Sequence, residues 1–270
     1  MDLEVRKYKN KDEIIINRFD TWTSSMQKLI KENYDIIEKY RRKENEIFEL
    51  KERYKRENRN YDIFDFKNEY YDTICKLKKD FLNILLTENK PLICFHASRY
   101  TDKEKDGILK FGLKTSSKNN LFDRIQNLLN DGYIDEEESE FLKEHHLIIK
   151  QDNMRENQLW VTLGNVNISY NTDSGLFNFY DNYGGEIQYF CIEKSLLGNK
   201  LKSLSKPYLA ILKLHPMQIV KNKLSDLIDN IFNRIKYNNS EDVDYEFFTT
   251  EEIVLIEDII QIDENSKIIF

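Results

Sequence analysis

The sequence predicts an α+β protein: an N-terminal α-helical hairpin over residues 1–90, then a domain of short strands and interspersed helices over 91–270. Two observations predict it. All eight glycines lie between Gly107 and Gly198, and Pro91, Pro207 and Pro216 are the three prolines, so the first 90 residues hold no helix breaker. Past Pro91 the texture changes to short apolar runs between polar loops, with helical stretches placed irregularly among them, a pattern of α+β rather than of a doubly wound sheet.

Met26, Ile30, Ile37, Tyr40, Ile47, Leu50 and Tyr54 recur at helical steps and form one face of a long helix from about Thr23 to Asn58. Phe66, Tyr70, Ile74, Leu77, Phe81 and Ile84 do the same for a second helix over Phe64–Leu86, with Asn60-Tyr61-Asp62 as the hinge. The hairpin either packs on the second domain or on a copy of itself, or is a surface for a target or inhibitor. After Pro91, strands are expected at Leu92–Phe95, Gln158–Leu163, Glu186–Ile192, Tyr208–Leu214 and Glu252–Ile256. Helices are expected at Lys103–Phe111, Leu121–Asn130, Asp135–His145 and Lys223–Lys236, the third opened by Asp135 and Glu138 as a capping box.

Composition narrows the function classes. The chain has 270 residues and a net charge of −7, with 21 Lys and Arg against 19 Asp and Glu in the first 90 residues, so the acidity belongs to the second part. That balance argues against a primarily electrostatic grip on nucleic acid. No run approaches the roughly 18–20 apolar residues of a membrane helix, and the N-terminal residues lack the apolar centre of a secretory signal. A cytoplasmic protein with no membrane partner is expected. Cys75, Cys94 and Cys191 are widely spaced, which suggests neither a disulfide framework nor a metal site. No glycine-rich nucleotide fingerprint of the Rossmann or P-loop type occurs.

The stretch from Leu92 to Thr115 organises the rest. A short strand delivers His96-Ala97-Ser98-Arg99 at its end and turns into a polar helix closing at Gly112-Leu113, which suggests a small-molecule pocket. Three places are candidates to meet His96. Thr162 lies at the end of a strand beside Gly164, either facing a ligand or simply part of an amphipathic strand. Tyr180 and Tyr183 precede Gly184-Gly185-Glu186, either presenting their rings to a flat ligand or lying on the outside of a tight turn. Glu251 and Glu252 introduce the last apolar run, and alternation lets only one of them face a pocket.

Taken in order, these features resemble the ADP-ribosyltransferase fold, most closely its diphtheria-toxin-like branch with a His–Tyr–Glu triad. The resemblance covers roughly residues 91–263, and the Tyr183-Gly184-Gly185-Glu186 run looks like the strand start of some phage-associated and defence-related members. It implies a split mixed or antiparallel sheet, NAD⁺ as substrate, no metal, and cleavage of the nicotinamide–ribose bond through an oxocarbenium-like transition state. It also implies roles for particular residues. His96 would bond a ribose hydroxyl, with Ser98 or Arg99 holding the adenosine side or a phosphate, the latter suited to a guanidinium fork. Tyr180 or Tyr183 would stack on nicotinamide, and Glu252 would accept the ribose 2′-hydroxyl and stabilise the cation. Glu251 takes that place if the strand begins one residue earlier, and Glu186 serves either the acceptor side or catalysis. Tyr170 and Tyr180 come nearest to the tyrosine spacing common in the branch. Thr250 stands where arginine-modifying relatives carry Glu or Gln, so arginine is not the favoured acceptor.

The expected activity is transfer of ADP-ribose to a macromolecular acceptor, protein, RNA or DNA, in a toxin or anti-phage defence effector. An antitoxin or inhibitor is a possible partner for the N-terminal helices. The alternatives are an NAD⁺ glycohydrolase, a protein that binds NAD⁺ or ADP-ribose without turnover, or an interaction protein whose hairpin is the working part.

Overall fold

A computed structural model describes residues 2–4, 12–57, 67–145, 156–164, 166–167, 195–240, 243, 245–262 and 267–269. The expected hinge at Asn60-Tyr61-Asp62, the strand Glu186–Ile192 and the residues Tyr170, Tyr180, Tyr183 and Glu186 lie outside them. Helix α1 spans Ser24–Arg56, and its N-terminus is set by Thr23, whose hydroxyl accepts from the Met26 amide at 3.3 Å. Met26, Ile30, Ile37, Tyr40 and Ile47 form its buried stripe, as their spacing predicts. Helix α2, Tyr71–Glu88, buries Ile74, Leu77, Phe81 and Leu85 and stops at Asn89, whose φ of 44° is the left-handed turn that ends helices. The pair is tied by Asn68, whose side-chain amide donates to the Tyr40 carbonyl at 3.0 Å and to Glu44 at 2.8 Å.

The chain then enters a five-stranded sheet in which every neighbour is antiparallel. Its strands are β2 (Leu92–Tyr100), β4 (Leu159–Leu163), β6 (Lys206–Leu214), β7 (Tyr245–Thr249) and β9 (Ile256–Gln261), in the order β7–β4–β2–β6–β9. β2 and β6 are in register along their whole length, from Leu92 opposite Leu214 to Tyr100 opposite Lys206. A second sheet joins β1 (Asp2–Glu4), parallel to β10 (Lys267–Ile269), to β5 (Val166–Asn167). Between β2 and β4 come α3 (Asp102–Phe111), β3 (Leu113–Lys114), α4 (Lys118–Asn130) and α5 (Glu136–Glu144), with α6 (Leu196–Leu204) packed against the last two. Both residues of the Asp135–Glu138 capping box are in place. Helix α7, Lys221–Arg234, runs between β6 and β7. The antiparallel sheet with its interspersed helices makes the protein α+β. Among the described residues no helix is long and apolar enough to cross a membrane.

Two expectations are corrected. The first strand does not stop at Phe95: its apolar pattern continues through His96 to Tyr100 because all but His96 are buried, so the histidine lies inside the strand and not at its end. The run Glu252–Ile256 is divided. Its first part, β8 (Ile253–Val254), pairs with β3, while β9 begins at Ile256 and pairs with β6. The helices before Pro91 pack on the sheet that follows it, one of the alternatives open for the hairpin. Trp22, Met26 and Phe81 share one hydrophobic cluster with Leu92, Cys94 and Phe232, and the Phe81 ring lies 5.7 Å from that of Trp22 and 5.9 Å from that of Phe232. The segment before α1 is tied in as well. The Ile14 amide donates to the Pro91 carbonyl at 2.9 Å and the Ile93 amide to the Ile14 carbonyl at 3.0 Å. Beside it Lys213 bridges the buried Glu13 to Glu257, the latter at 3.0 Å.

Candidate functional site

The site begins where two strands part. β2 and β4 are joined by a single registered pair, Phe95 opposite Thr162. Past that pair the His96 imidazole reaches across, its Nδ1 lying 2.8 Å from the Trp160 carbonyl. A cavity of about 750 Å³ opens there, within the ~300–1,000 Å³ range of small-molecule sites. β2 and β4 form one side of it, α3, β3 and α4 the other.

A carbonyl oxygen only accepts, so the Trp160 contact places the imidazole proton on Nδ1 and leaves Nε2 as an acceptor. Burial pushes the His96 pKa below its ordinary value, the Trp160 carbonyl opposes this, and the Arg124 charge reinforces it. A neutral ring is therefore the resting state. Alternation along β2 carries Ser98 and Tyr100 to the same side as His96. Both are buried and both line the cavity. Thr162 borders it as well.

Arg99 is placed elsewhere. Its odd position turns it to the opposite side, where Nη2 donates to the Lys202 and Ser205 carbonyls at 3.1 and 2.6 Å and Nε to Ser205 Oγ at 3.2 Å. It closes the C-terminus of α6 and is not among the residues lining the cavity. Glu252 is also outside that lining: its carboxylate is exposed, and its backbone carbonyl accepts from the Thr115 amide at 3.2 Å, fastening the wall instead. Glu251 is exposed and donates its amide to Thr249 Oγ1 at 3.2 Å.

Two lining residues are not singled out by the sequence. Glu246 on β7 stands directly opposite Thr162 and is exposed; both border the cavity, and the pairing of Thr162 with Phe95 sets their side chains on the other side of the sheet from His96. Its signal is the alternation of Tyr245, Phe247 and Thr249 around it, a strand pattern overshadowed by the more apolar run after it. Arg124 on α4 is paired through Nε with Glu104, donates Nη2 to the Arg99 carbonyl at 3.1 Å and lies 5.5 Å from the Tyr100 ring centre. No local motif marks it. Glu104 is itself committed to the N-terminus of α3, where it accepts from the Thr101 amide at 2.8 Å.

The wall is completed at Gly112. Its φ is +85°, and a Cβ there would meet the Val254 carbonyl oxygen at 2.7 Å and Ile253 Cγ2 at 2.9 Å, so glycine is what lets β3 lie against β8. Among the described lining residues three cations, Lys103, Lys114 and Arg124, face four carboxylates, Glu104, Asp123, Asp131 and Glu246. Together the elements enclose a cavity with a neutral histidine and hydroxyl groups along a parted sheet, bordered by Glu246. No known protein family, curated protein or solved structure matches the chain.

Proposed function

We propose that the chain is an ADP-ribosyltransferase that breaks the nicotinamide–ribose bond of NAD⁺ and passes ADP-ribose to a macromolecular acceptor, as a toxin or anti-phage effector would. The observation that carries this reading is the neutral His96 held by Trp160 where β2 and β4 part, in a cavity that Glu246 borders from the edge strand β7. His96 Nε2 accepts a hydrogen bond from a ribose hydroxyl. Glu246, reaching round from the edge strand β7, takes the role that the resemblance gives to Glu252, because it borders the cavity and Glu252 does not. In the reaction the C1′–N bond breaks, and nicotinamide leaves with the electron pair as a neutral molecule. The Glu246 carboxylate stabilises the positive charge on the ribose. A nucleophilic atom of the acceptor then bonds to C1′ and gives its proton to the carboxylate or to water.

A second reading, binding of NAD⁺ without turnover, is favoured by the position of Glu252 outside the cavity. Nicotinamide release from NAD⁺ separates the two, measured for the wild type, Glu246→Gln and Glu252→Gln with and without cell lysate. The transferase reading expects release stimulated by lysate, lowered about 100-fold or more by Glu246→Gln, in the range of a lost transition-state contact, and changed less than about twofold by Glu252→Gln. Binding without release in every condition supports the second reading. Equal loss in both variants sinks the assignment of Glu246.

A further inference from the structure

Of the buried side-chain polar atoms left without a partner among the described residues, the Tyr100 hydroxyl alone belongs to a residue lining the cavity. The side chain is 4% exposed, and leaving such a group unpaired is expensive. Its ring has little freedom to turn elsewhere. Tyr208 stacks on it at 6.4 Å and 23°, and is itself held by a 3.0 Å hydrogen bond from its hydroxyl to Asp102. The Arg124 guanidinium also lies 5.5 Å from the ring centre. Burial raises the Tyr100 pKa against the pull of Arg124 and the neighbouring Ser98, so the group stays a donor at neutral pH.

We propose that Tyr100 is a ligand-binding residue whose hydroxyl donates to an uncharged acceptor atom of a nucleoside-like molecule lying along β2. His96, Ser98 and Tyr100 form a row on one side of the strand, about 13 Å from first to last at ~3.3 Å per residue. The row offers an acceptor at one end, a hydroxyl in the middle and a donor at the other, which matches the hydroxyls and ring atoms of a nucleoside. Ile108, Phe111 and Leu128 give a flat ring an apolar wall. The acceptor atom is uncharged because carboxylates outnumber cations in the lining and because the Arg124 guanidinium already pairs with Glu104. A phosphate at this end would meet that carboxylate. The identity of the ribosyl group beside His96 rests on the NAD⁺ reading; the donor role of Tyr100 does not.

The test is Tyr100→Phe, compared with wild type in thermal melting without ligand and in calorimetric titration with adenosine, NAD⁺ and sodium pyrophosphate. Melting temperature is expected to hold or rise, since an unpaired buried hydroxyl is removed. Affinity for adenosine and NAD⁺ is expected to fall about fivefold to tenfold, the worth of one neutral hydrogen bond, with no binding of pyrophosphate to either protein. The proposal is overturned by a fall in melting temperature beyond about 5 °C, which would mean a structural bond of a few kcal/mol. Unchanged affinities overturn it too, as does pyrophosphate binding that the substitution removes, or a wild type that binds none of the three probes. If adenosine binding depends on Tyr100 while no nicotinamide is ever released, the transferase reading falls and the donor stands. If nicotinamide release depends on Glu246 while Tyr100→Phe leaves both affinities alone, the reverse holds.

Discussion

Because the 2.8 Å contact with the Trp160 carbonyl fixes the proton of His96 on Nδ1, the ring can enter the site only as a neutral acceptor, and acid should disable it. The sign comes from its lowered pKa. An unfolded histidine takes up a proton as pH falls through about 6.5, while the folded ring resists until a lower pH. Between those values the unfolded state binds more protons, so this group's contribution is present above pH ~6.5 and lost as pH falls through the folded value. Wild type should therefore lose more melting temperature between pH 7.5 and 5.5 than His96→Asn does. Equal losses would show that the imidazole is not held neutral. At this scale the sequence is readable where a residue's role depends on its own strand alone. His96, Ser98 and Thr162 are candidates on sequence and all line the cavity. Arg99 is a candidate that does not, although the period of two sets it on the opposite side from His96, because a strand ending at Phe95 would impose no sides on the residues after it. Glu246 needs a partner far along the chain: only the pairing of β4 with β7 brings it opposite Thr162.

Among the elements, β3 and β8 form the smallest and most exacting contact. Two residues pair with two, and the approach depends on Gly112 having no Cβ. Gly112→Ala combines a positive φ with a collision against backbone, and should cost about 1–3 kcal/mol, or roughly 3–10 °C in melting temperature for a chain of this size. Gly107 in α3 is the control: nothing lies within 4 Å of its added Cβ and its φ is not positive, so Gly107→Ala should stabilise by up to about 1 kcal/mol. Melting curves of the two variants going the same way would contradict this account. Helices are legible because periodicity and caps are local; α1, α7 and the Asp135–Glu138 box all stand where the sequence predicts them. The last strands are not, since the break at Leu255 comes from two different pairing partners, β3 for one side and β6 for the other. That information is not local.

Over the whole molecule, composition suggests a boundary at Pro91, and the change of texture there is real in the sequence. In three dimensions the hairpin is a layer of the same core: α1 and α2 lie in one cluster with β2, β6 and α7, and Ile14 pairs directly with Leu92. A gap in glycine and proline usage marks a change of secondary structure, which need not be a change of folding unit. The shared core has a further consequence for hydrogen exchange. If α1 and β2 can open only together, their slowest amides exchange through the same global event, and anything that binds the folded cavity must slow both equally. A ligand at 100 times its dissociation constant adds about 2.7 kcal/mol, a slowing near 100-fold, and it should appear in amides of α1 flanking Met26 and Ile30 as fully as in β2. Protection confined to β2 and its neighbours would reveal two cooperative units. Equal protection would make the far helix a reporter for the cavity, read without any probe placed in the site.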